Sequence, residues 1–352
     1  MKRDETKRIY VGNIPVGGGA PVTVQSMCNT PTQDAEATIA QMRQLKAAGC
    51  DIIRVAVPHE AAAKALKDIM AQAPMPVVAD IHFDHRLALM AVEAGIDAVR
   101  INPGNIGSPD RVEAVARACK ERGIPIRIGV NTGSLEKRLL DKFGGPTAQA
   151  LVESAAGEIE ALHKVGFEDI ALSVKASDVP MAVEAYRLAS ERFDCPLHVG
   201  VTEAGTSYGG LVNSSVGIGT LLMEGIGDTI RVSLTADPIE EVRAGLTILK
   251  ACGLRKSGVR FVSCPTCGRT QIDLISLAKA AEERVSGLDR DITVAVMGCE
   301  VNGPGEAREA DFGIAGGRGF GSLFVKGQVV KTKVPEAQLL DSLMELIQVG
   351  HI

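Results

Sequence analysis

Three cysteines toward the C-terminal end have the types and spacing of metal ligands. Cys264-Pro-Thr-Cys267 follows a short β-branched run, and Met297-Gly-Cys299-Glu-Val-Asn-Gly-Pro-Gly follows another. A C-x2-C turn brings two thiolates onto one metal, and the glycines of the second segment let backbone amides approach cluster sulfides. The pair alone would suit zinc or a redox dithiol. A structural zinc takes four Cys or His ligands, and no histidine lies between Cys264 and His351. A thioredoxin-like dithiol opens a helix in a compact redox fold and has no use for Cys299. Three cysteines suit a 4Fe-4S cluster with one iron left for another ligand, so ligand count favours iron-sulfur and keeps zinc as the alternative. Cys28, Cys50, Cys119, Cys195 and Cys252 sit in or beside core elements and read as small hydrophobes, although Cys28, at a strand end, is also placed to line a site.

A second constellation is basic. Arg54, Arg100, Arg127 and Arg231 each interrupt an otherwise apolar run. A buried guanidinium is costly unless paired, so four in separate strands call for anionic partners or a wet cavity. For any one of them, a salt bridge inside the fold is the plainer reading. Yet Asn102, Asn131, Ser173, Lys175, His198, Thr202, Glu203 and Ser233 crowd the same strand ends. Arginine forks match phosphate oxygens bidentately, Lys175 adds a fifth positive charge, and a diphosphate would satisfy the set. Glu203 is a carboxylate in basic company, suited to giving or taking a proton or to orienting an arginine. Asp80 and His82, at the end of the third strand, are further candidates to line the site. His59, His163 and His351 receive no role.

The elements that must hold these residues are legible as repeated βα units. Candidate strands are PVTVQS from Pro21, DIIRVAV from Asp51, PVVADI from Pro76, AVRIN from Ala98, PIRIGV from Pro125, DIALSV from Asp169, LHVGV from Leu197 and TIRVSL from Thr229. Each is nearly all apolar, as strands buried on both faces are. In the first helix Asp34 is predicted to cap the start, Ile39, Met42 and Leu45 share a face, and Gly49 supplies a left-handed stop. Gly95, Gly166 and Gly225 repeat that stop. Eight such units in about 250 residues is the size of a (β/α)8 barrel, whose C-terminal mouth carries the active site, although an open doubly wound sheet has the same periodicity. After Lys250 the pattern changes: ACGLRKSG reads as a linker. Cysteines, a helix from about Gln271 to Arg284, glycine-rich sequence through Gly321 and a hairpin around Lys326-Gly327 follow. The expected fold class is α/β, a TIM barrel over residues 1–252 and a smaller α+β cluster domain over 253–352.

Composition limits what such a protein can do. A net charge of -5 over 352 residues excludes a broad basic field for nucleic acid. No apolar run is long enough to cross a bilayer, and no apolar segment of the signal-peptide kind follows the charged first residues. Eight cysteines are too sparse for a disulfide scaffold, so a reducing, cytoplasmic setting is expected. With no tryptophan and 3% aromatics, stacking is a minor means of recognition.

PVTVQSM near the start, RINPGNIG from Arg100, RIGVNTGSL from Arg127, GVTEAG from Gly200, and above all SCPTCGRT with MGCEVNGPGE carry a resemblance that spans essentially the whole chain. It is similar to the 4-hydroxy-3-methylbut-2-enyl diphosphate synthases of the non-mevalonate isoprenoid pathway, in their short bacterial form without a middle domain. The resemblance implies reductive ring opening and dehydration of 2-C-methyl-D-erythritol 2,4-cyclodiphosphate, with electrons delivered singly through a 4Fe-4S cluster. It implies cluster ligands at Cys264, Cys267, Cys299 and Glu306. It implies diphosphate binding by Arg54, Arg100, Asn102, Arg127, Asn131, Lys175, Arg231 and Ser233, beside Thr202 and His198, and an acid-base role for Glu203. It also implies flavodoxin or ferredoxin as electron donor and a homodimer in which one protomer's cluster domain caps the other's barrel. A phosphate-binding barrel with a structural zinc domain and redox-neutral chemistry stands as the alternative.

Overall fold

A computed structural model describes residues 2–102, 106, 108–255, 258–288, 290–299, 305 and 308–350. The chain divides into two compact units, Met1–Arg255 and Lys256–Ile352. Arg255 stays with the first because its guanidinium pairs with Asp51, 3.0 Å away.

The first unit begins with an antiparallel hairpin, β1 (Ile9–Val11) and β2 (Ile14–Val16). Eight parallel strands follow: β3 (Thr23–Met27), β4 (Ile52–Ala56), β5 (Val77–Asp80), β6 (Ala98–Ile101), β7 (Ile126–Asn131), β8 (Ile170–Lys175), β9 (His198–Val199) and β10 (Thr229–Ile230). All eight begin within the runs expected from sequence, and β3, β7 and β8 continue one residue beyond them. They pair in the order β8-β7-β6-β5-β4-β3-β10-β9. A parallel bridge between Leu172 and Leu197, with Leu172 N–H donating to Pro196 O at 2.9 Å, joins the two ends of that order. This settles the choice that periodicity left open, in favour of a nearly closed barrel. β9 and β10 are shorter than their apolar runs; beyond β9 the chain turns to the mouth, where Thr202 N–H donates to Ala176 O at 3.2 Å.

Local chemistry explains the helices between them. Asp34 Oδ1 accepts from Ala37 N–H at 3.0 Å and starts the helix Ala35–Ala47, which buries Thr38, Ile39, Met42 and Leu45. Gly49, Gly95, Gly166 and Gly225 all take positive φ, the left-handed conformation that ends a helix without a Cβ penalty. Among the described residues, no helix is long and apolar enough to cross a membrane.

The opening hairpin was not foreseen. Ile9, Val11 and Val16 pack against Ile52, Val78, Ala98 and Ala171, each the first or second residue of a barrel strand, and so close the barrel's bottom. Burying each such aliphatic side chain stabilises by about 1.5–3 kcal/mol. The bottom is thus apolar and sealed, which leaves the other end for chemistry.

The second unit is a five-stranded sheet: β11 (Arg260–Ser263), β12 (Thr293–Met297), β13 (Phe312–Gly317), β14 (Phe320–Val325) and β15 (Gln328–Pro335), in sequence order. β11, β12 and β13 are parallel, and β14 and β15 are antiparallel additions. The helix expected near Gln271–Arg284 runs Leu274–Ser286, started by Asp273, which accepts from Ser276 N–H at 3.2 Å. The glycine-rich sequence through Gly321 includes β13 and the start of β14. A Cβ on Gly313 would meet the Phe324 ring at 2.0 Å, and one on Gly316 would meet Ile272 at 2.4 Å. Glycine there permits close packing rather than a turn. The helix Leu339–Val349 completes the core with Leu339, Leu343 and Ile347.

Candidate active site

The barrel's register lines its cations up. Asp80 on β5 stands beside Arg100 on β6, which stands beside Arg127 on β7, and Asn131 on β7 is paired with Lys175 on β8. Arg100 crosses its neighbour only because position 129 is glycine: a Cβ there would lie 2.3 Å from Arg100 Nε. Gly200 makes the same allowance for Lys175, whose Nζ would lie 2.9 Å from a Cβ. A cavity of about 200 Å³ results, lined by Arg54, Arg100, Arg127, Asn131, Lys175, Thr202, Arg231 and Ser233, together with Asp80, His82 and Ser173.

Its electrostatics are unbalanced. Asp80 is buried between Arg100, at 3.1 Å, and Arg54, at 3.5 Å. Burial alone would raise its carboxyl, but Arg54 and then Arg100 override this and hold it at about 2. Glu241, on the helix Pro238–Ala251, accepts from Leu234 N–H at 2.9 Å and Ser26 Oγ at 3.3 Å, and lies 3.6 Å from Arg231. Arg127 donates to Gln25 Oε1 at 2.6 Å, while its other terminal nitrogen, like Arg231 Nε, is buried without a partner. Lys175 has no ion-pair partner among the described residues. Burial first, then Arg231 and Arg54, pushes its ammonium well below the usual lysine range. Burial, reinforced by Arg54 and Arg100, does the same to Arg127. Five cations therefore face two carboxylates, and the buried remainder asks for an anion.

Three expected residues do not line the cavity. Asn102 is buried beside it, and its carbonyl accepts from Ile106 N–H at 3.3 Å. His198 lies deeper, 1% exposed, with Nδ1 3.4 Å from Thr229 Oγ1 and Nε2 without a partner. Burial, then Arg127 and Lys175, drives its pKa well below the ordinary value, so it is a neutral support under the cations. Glu203 is exposed next to Thr202, with φ +52 between the buried Val201 and Ala204. A non-glycine residue in that conformation is held there by its surroundings, a feature that clusters at functional sites.

Gln25 and Glu241 were missed. Gln25 had a signal, one amide in an apolar strand, whereas Glu241 looked like an ordinary acid in a helix's first turn. Cys28 does not line the cavity; burial pushes its thiol up to about 12, as it does those of Cys50, Cys119 and Cys195.

In the second unit, Ser263 pairs with Val296 across two parallel strands, so Cys264 and Cys299 leave the sheet at the same end. Gly298 N–H donates to Cys264 Sγ at 3.2 Å, tying the two loops together. Cys267 is exposed on the turn between them, where Thr270 Oγ1 accepts its N–H at 3.1 Å. The Arg269 backbone N–H, then its side chain, lowers the Cys267 thiol. Sulfur accepting backbone amides, with a thiol biased toward thiolate, is the donor chemistry an iron-sulfur cluster uses, so the residues fit that group. Among the described residues, no three of the side chains His, Cys, Asp and Glu are gathered at metal-binding distance. Glu306 lies outside the described residues.

The family model described as GcpE TIM-barrel domain matches residues 6–246, and that of the GcpE protein C-terminal domain matches residues 260–349. A protein of Geobacter sulfurreducens is 60% identical over 98% of this chain and 97% of its own. One of Clostridium perfringens is 59% identical over 99% of both chains. Both are named 4-hydroxy-3-methylbut-2-en-1-yl diphosphate synthase (flavodoxin). Among solved structures, 7,8-dihydropteroate synthase from Vibrio fischeri ES114 superposes with a TM-score of 0.50 at 15% identity, covering 70% of this chain and 97% of that one. That likeness concerns the fold alone.

Proposed function

The chain belongs to the GcpE family, the 4-hydroxy-3-methylbut-2-enyl diphosphate synthases, and we propose that its barrel cavity and its three cysteines divide that reaction between binding and electron supply. The enzyme converts 2-C-methyl-D-erythritol 2,4-cyclodiphosphate to 4-hydroxy-3-methylbut-2-enyl diphosphate. This membership sets aside the redox-neutral barrel with a structural zinc.

One observation carries the assignment of the cavity: among the described residues, five cations that are buried or largely so share only two carboxylates, and Arg127 and Arg231 keep buried nitrogens without partners. A cyclic diphosphate supplies the missing charge. Arg127 and Lys175, which have no carboxylate of their own, take its phosphoryl oxygens. Arg54 and Arg100, oriented by Asp80, and Arg231, oriented by Glu241, close around them. Asn102, Asn131, Thr202, Ser233 and His198 complete or support the pocket. In the reaction a carbon–oxygen bond to one phosphoryl group breaks, a hydroxyl leaves as water and a carbon–carbon double bond forms. Two electrons and, counted on the neutral acids, two protons balance it. Glu203, beside the pocket-lining Thr202, supplies a proton to the departing hydroxyl oxygen, so that water leaves rather than hydroxide.

A 4Fe-4S cluster held by Cys264, Cys267, Cys299 and Glu306 would supply reducing equivalents one at a time. The chain's part is to present thiolates and amide donors at one end of a rigid sheet. Flavodoxin, named for the relatives, is the donor, with ferredoxin as its chemical equivalent. Eight free cysteines suit a reducing cytoplasm. The functional unit is a homodimer, a reading supported by the helix Ser207–Met223, whose Tyr208, Leu211, Val212, Val216 and Met223 form one exposed apolar face. The domains divide at residues 252–253, close to the break between compact units. Anaerobic reconstitution followed by metal analysis tests the cofactor. Four irons with matching acid-labile sulfide per chain are expected, falling with Cys299→Ser; zinc without iron would refute it.

A further inference from the structure

The cavity accounts for where substrate goes but not for where the electron donor lands. The sheet of the second unit gives an answer through its topology. Cys264 and Cys299 follow the C-terminal ends of β11 and β12. β13 is parallel to β12, with Met297 beside Ala315, so the β13–β14 turn carrying Arg318 lies at that same end. β15 runs antiparallel to β14 and finishes there as well, with Val334 beside Gly321 and Pro335 beside Phe320, which brings Lys333 to the cysteine end. Arg269, two residues past Cys267, shares an open depression of about 550 Å³ with Arg318, Gln271, Asp273 and Glu336.

Arg269 also reaches the Cys267 thiol, but no acid of the described residues neutralises the charges of this rim. Arg269, Arg318, Lys331 and Lys333 are exposed, and among the described residues none has an ion-pair partner. Among the described residues, the two acids lining this depression are committed to the backbone. Glu336 Oε1 accepts from Asp273 N–H at 2.9 Å, and Asp273 Oδ1 accepts from Ser276 N–H at 3.2 Å. Lysines along an edge strand also discourage strand pairing, and that suffices to explain Lys331. It does not explain Arg269 and Arg318, which lie on turns.

We propose that Arg269, Arg318 and Lys333 form the docking surface for an acidic, flavin-carrying one-electron donor, beside the exposed Cys267. The proposal rests on the reductive function above. Each encounter oxidises the reduced flavin by one electron, and two encounters supply the two electrons that ring opening consumes. A surface of this kind acts through complementary charge. It raises the association rate, is screened by salt, and adds little to the chemistry once the electron has passed.

The test uses reconstituted holoenzyme carrying Arg318→Glu with Lys333→Glu, and the milder Arg318→Gln with Lys333→Gln in case the reversals disturb folding. Two readouts are taken: the dissociation constant for recombinant flavodoxin at several salt concentrations, and turnover with either reduced flavodoxin or dithionite-reduced methyl viologen. The reversals should weaken flavodoxin binding by about tenfold or more and flatten its salt dependence, with the neutral pair in between. Turnover with the small donor should stay within about twofold of the parent enzyme. Flavodoxin binding with unchanged affinity and salt slope in both variants would overturn the proposal. So would equal loss with both donors, which would assign these residues to the fold or the cluster instead. A parent enzyme inactive with both donors would refute the reductive function itself, a failure visible before any variant is made.

Discussion

Asp80→Asn removes one of the two carboxylates that pair with the cavity's cations while keeping the cavity's shape. Arg54 and Arg100 hold the Asp80 carboxyl at about 2 against an ordinary 3.8. That difference corresponds to about 2.4 kcal/mol of stability at neutral pH. The arginine side of the pair looks different. Burial pushes Arg54 down to about 10 despite Asp80, with Arg231 and Arg100 adding to the fall. The carboxylate's own shift is the better gauge of what Asp80 contributes, because Arg54's reflects the whole crowd of cations. Since the folded-state value is depressed, the contribution is complete above about pH 4 and is lost as pH falls through about 2. In the variant, thermal unfolding at pH 7 should move down by about 5–10 °C, for a unit of this size. Inorganic pyrophosphate should return more of that loss in the variant than it adds to the parent, because the added anion replaces the missing one. The substrate's kcat/KM should still fall, since Arg54 and Arg100 lose the group that aims them. Unfolding curves with and without pyrophosphate, unmoved by the substitution, would refute the view of Asp80 as the counter-charge.

Three further outcomes follow from the same geometry. Lys175→Met should raise the unfolding temperature of the ligand-free protein, by removing a crowded buried charge, and weaken pyrophosphate binding by about tenfold to a hundredfold, as measured by titration calorimetry. Glu203→Gln should lower kcat by about a hundredfold or more with little change in KM, and a variant at parental kcat would remove Glu203 from proton transfer. His198, held neutral by burial and by Arg127 and Lys175, takes up a proton far less readily folded than unfolded. Its stabilising neutrality is therefore lost as pH drops below about 6.5, and its imidazole NMR signals should stay fixed from pH 8 to about 5.5.

The barrel was legible because buried parallel strands are written as continuous β-branched runs and its helices carry their caps in sequence, as Asp34 and Gly49 do. The cations were legible for the complementary reason, a charge in a run that otherwise excludes charge. What stayed hidden was pairing at a distance. Nothing local says that Glu241 will lie 3.6 Å from Arg231, or that Gln25 will meet Arg127 across the barrel. The bottom hairpin did have a signal, two short apolar runs on either side of Gly12-Asn13, with Gly12 at φ +58. In the second unit, glycines that allow tight strand packing at Gly313 and Gly316 imitate the composition of a loop. The terminal helix carried Leu339, Leu343 and Ile347 at four-residue spacing.

We propose that this chain reduces a cyclic diphosphate bound among the barrel's cations with electrons passed through the cysteine domain. The most direct test is anaerobic turnover by the reconstituted enzyme, with 2-C-methyl-D-erythritol 2,4-cyclodiphosphate and a one-electron donor, counting donor oxidised against product formed. Two electrons consumed per 4-hydroxy-3-methylbut-2-enyl diphosphate released, with activity lost in Arg127→Met and in Cys299→Ser, is the predicted result. Product formed without donor oxidation, or no product from an enzyme carrying its full iron and sulfide, would contradict it.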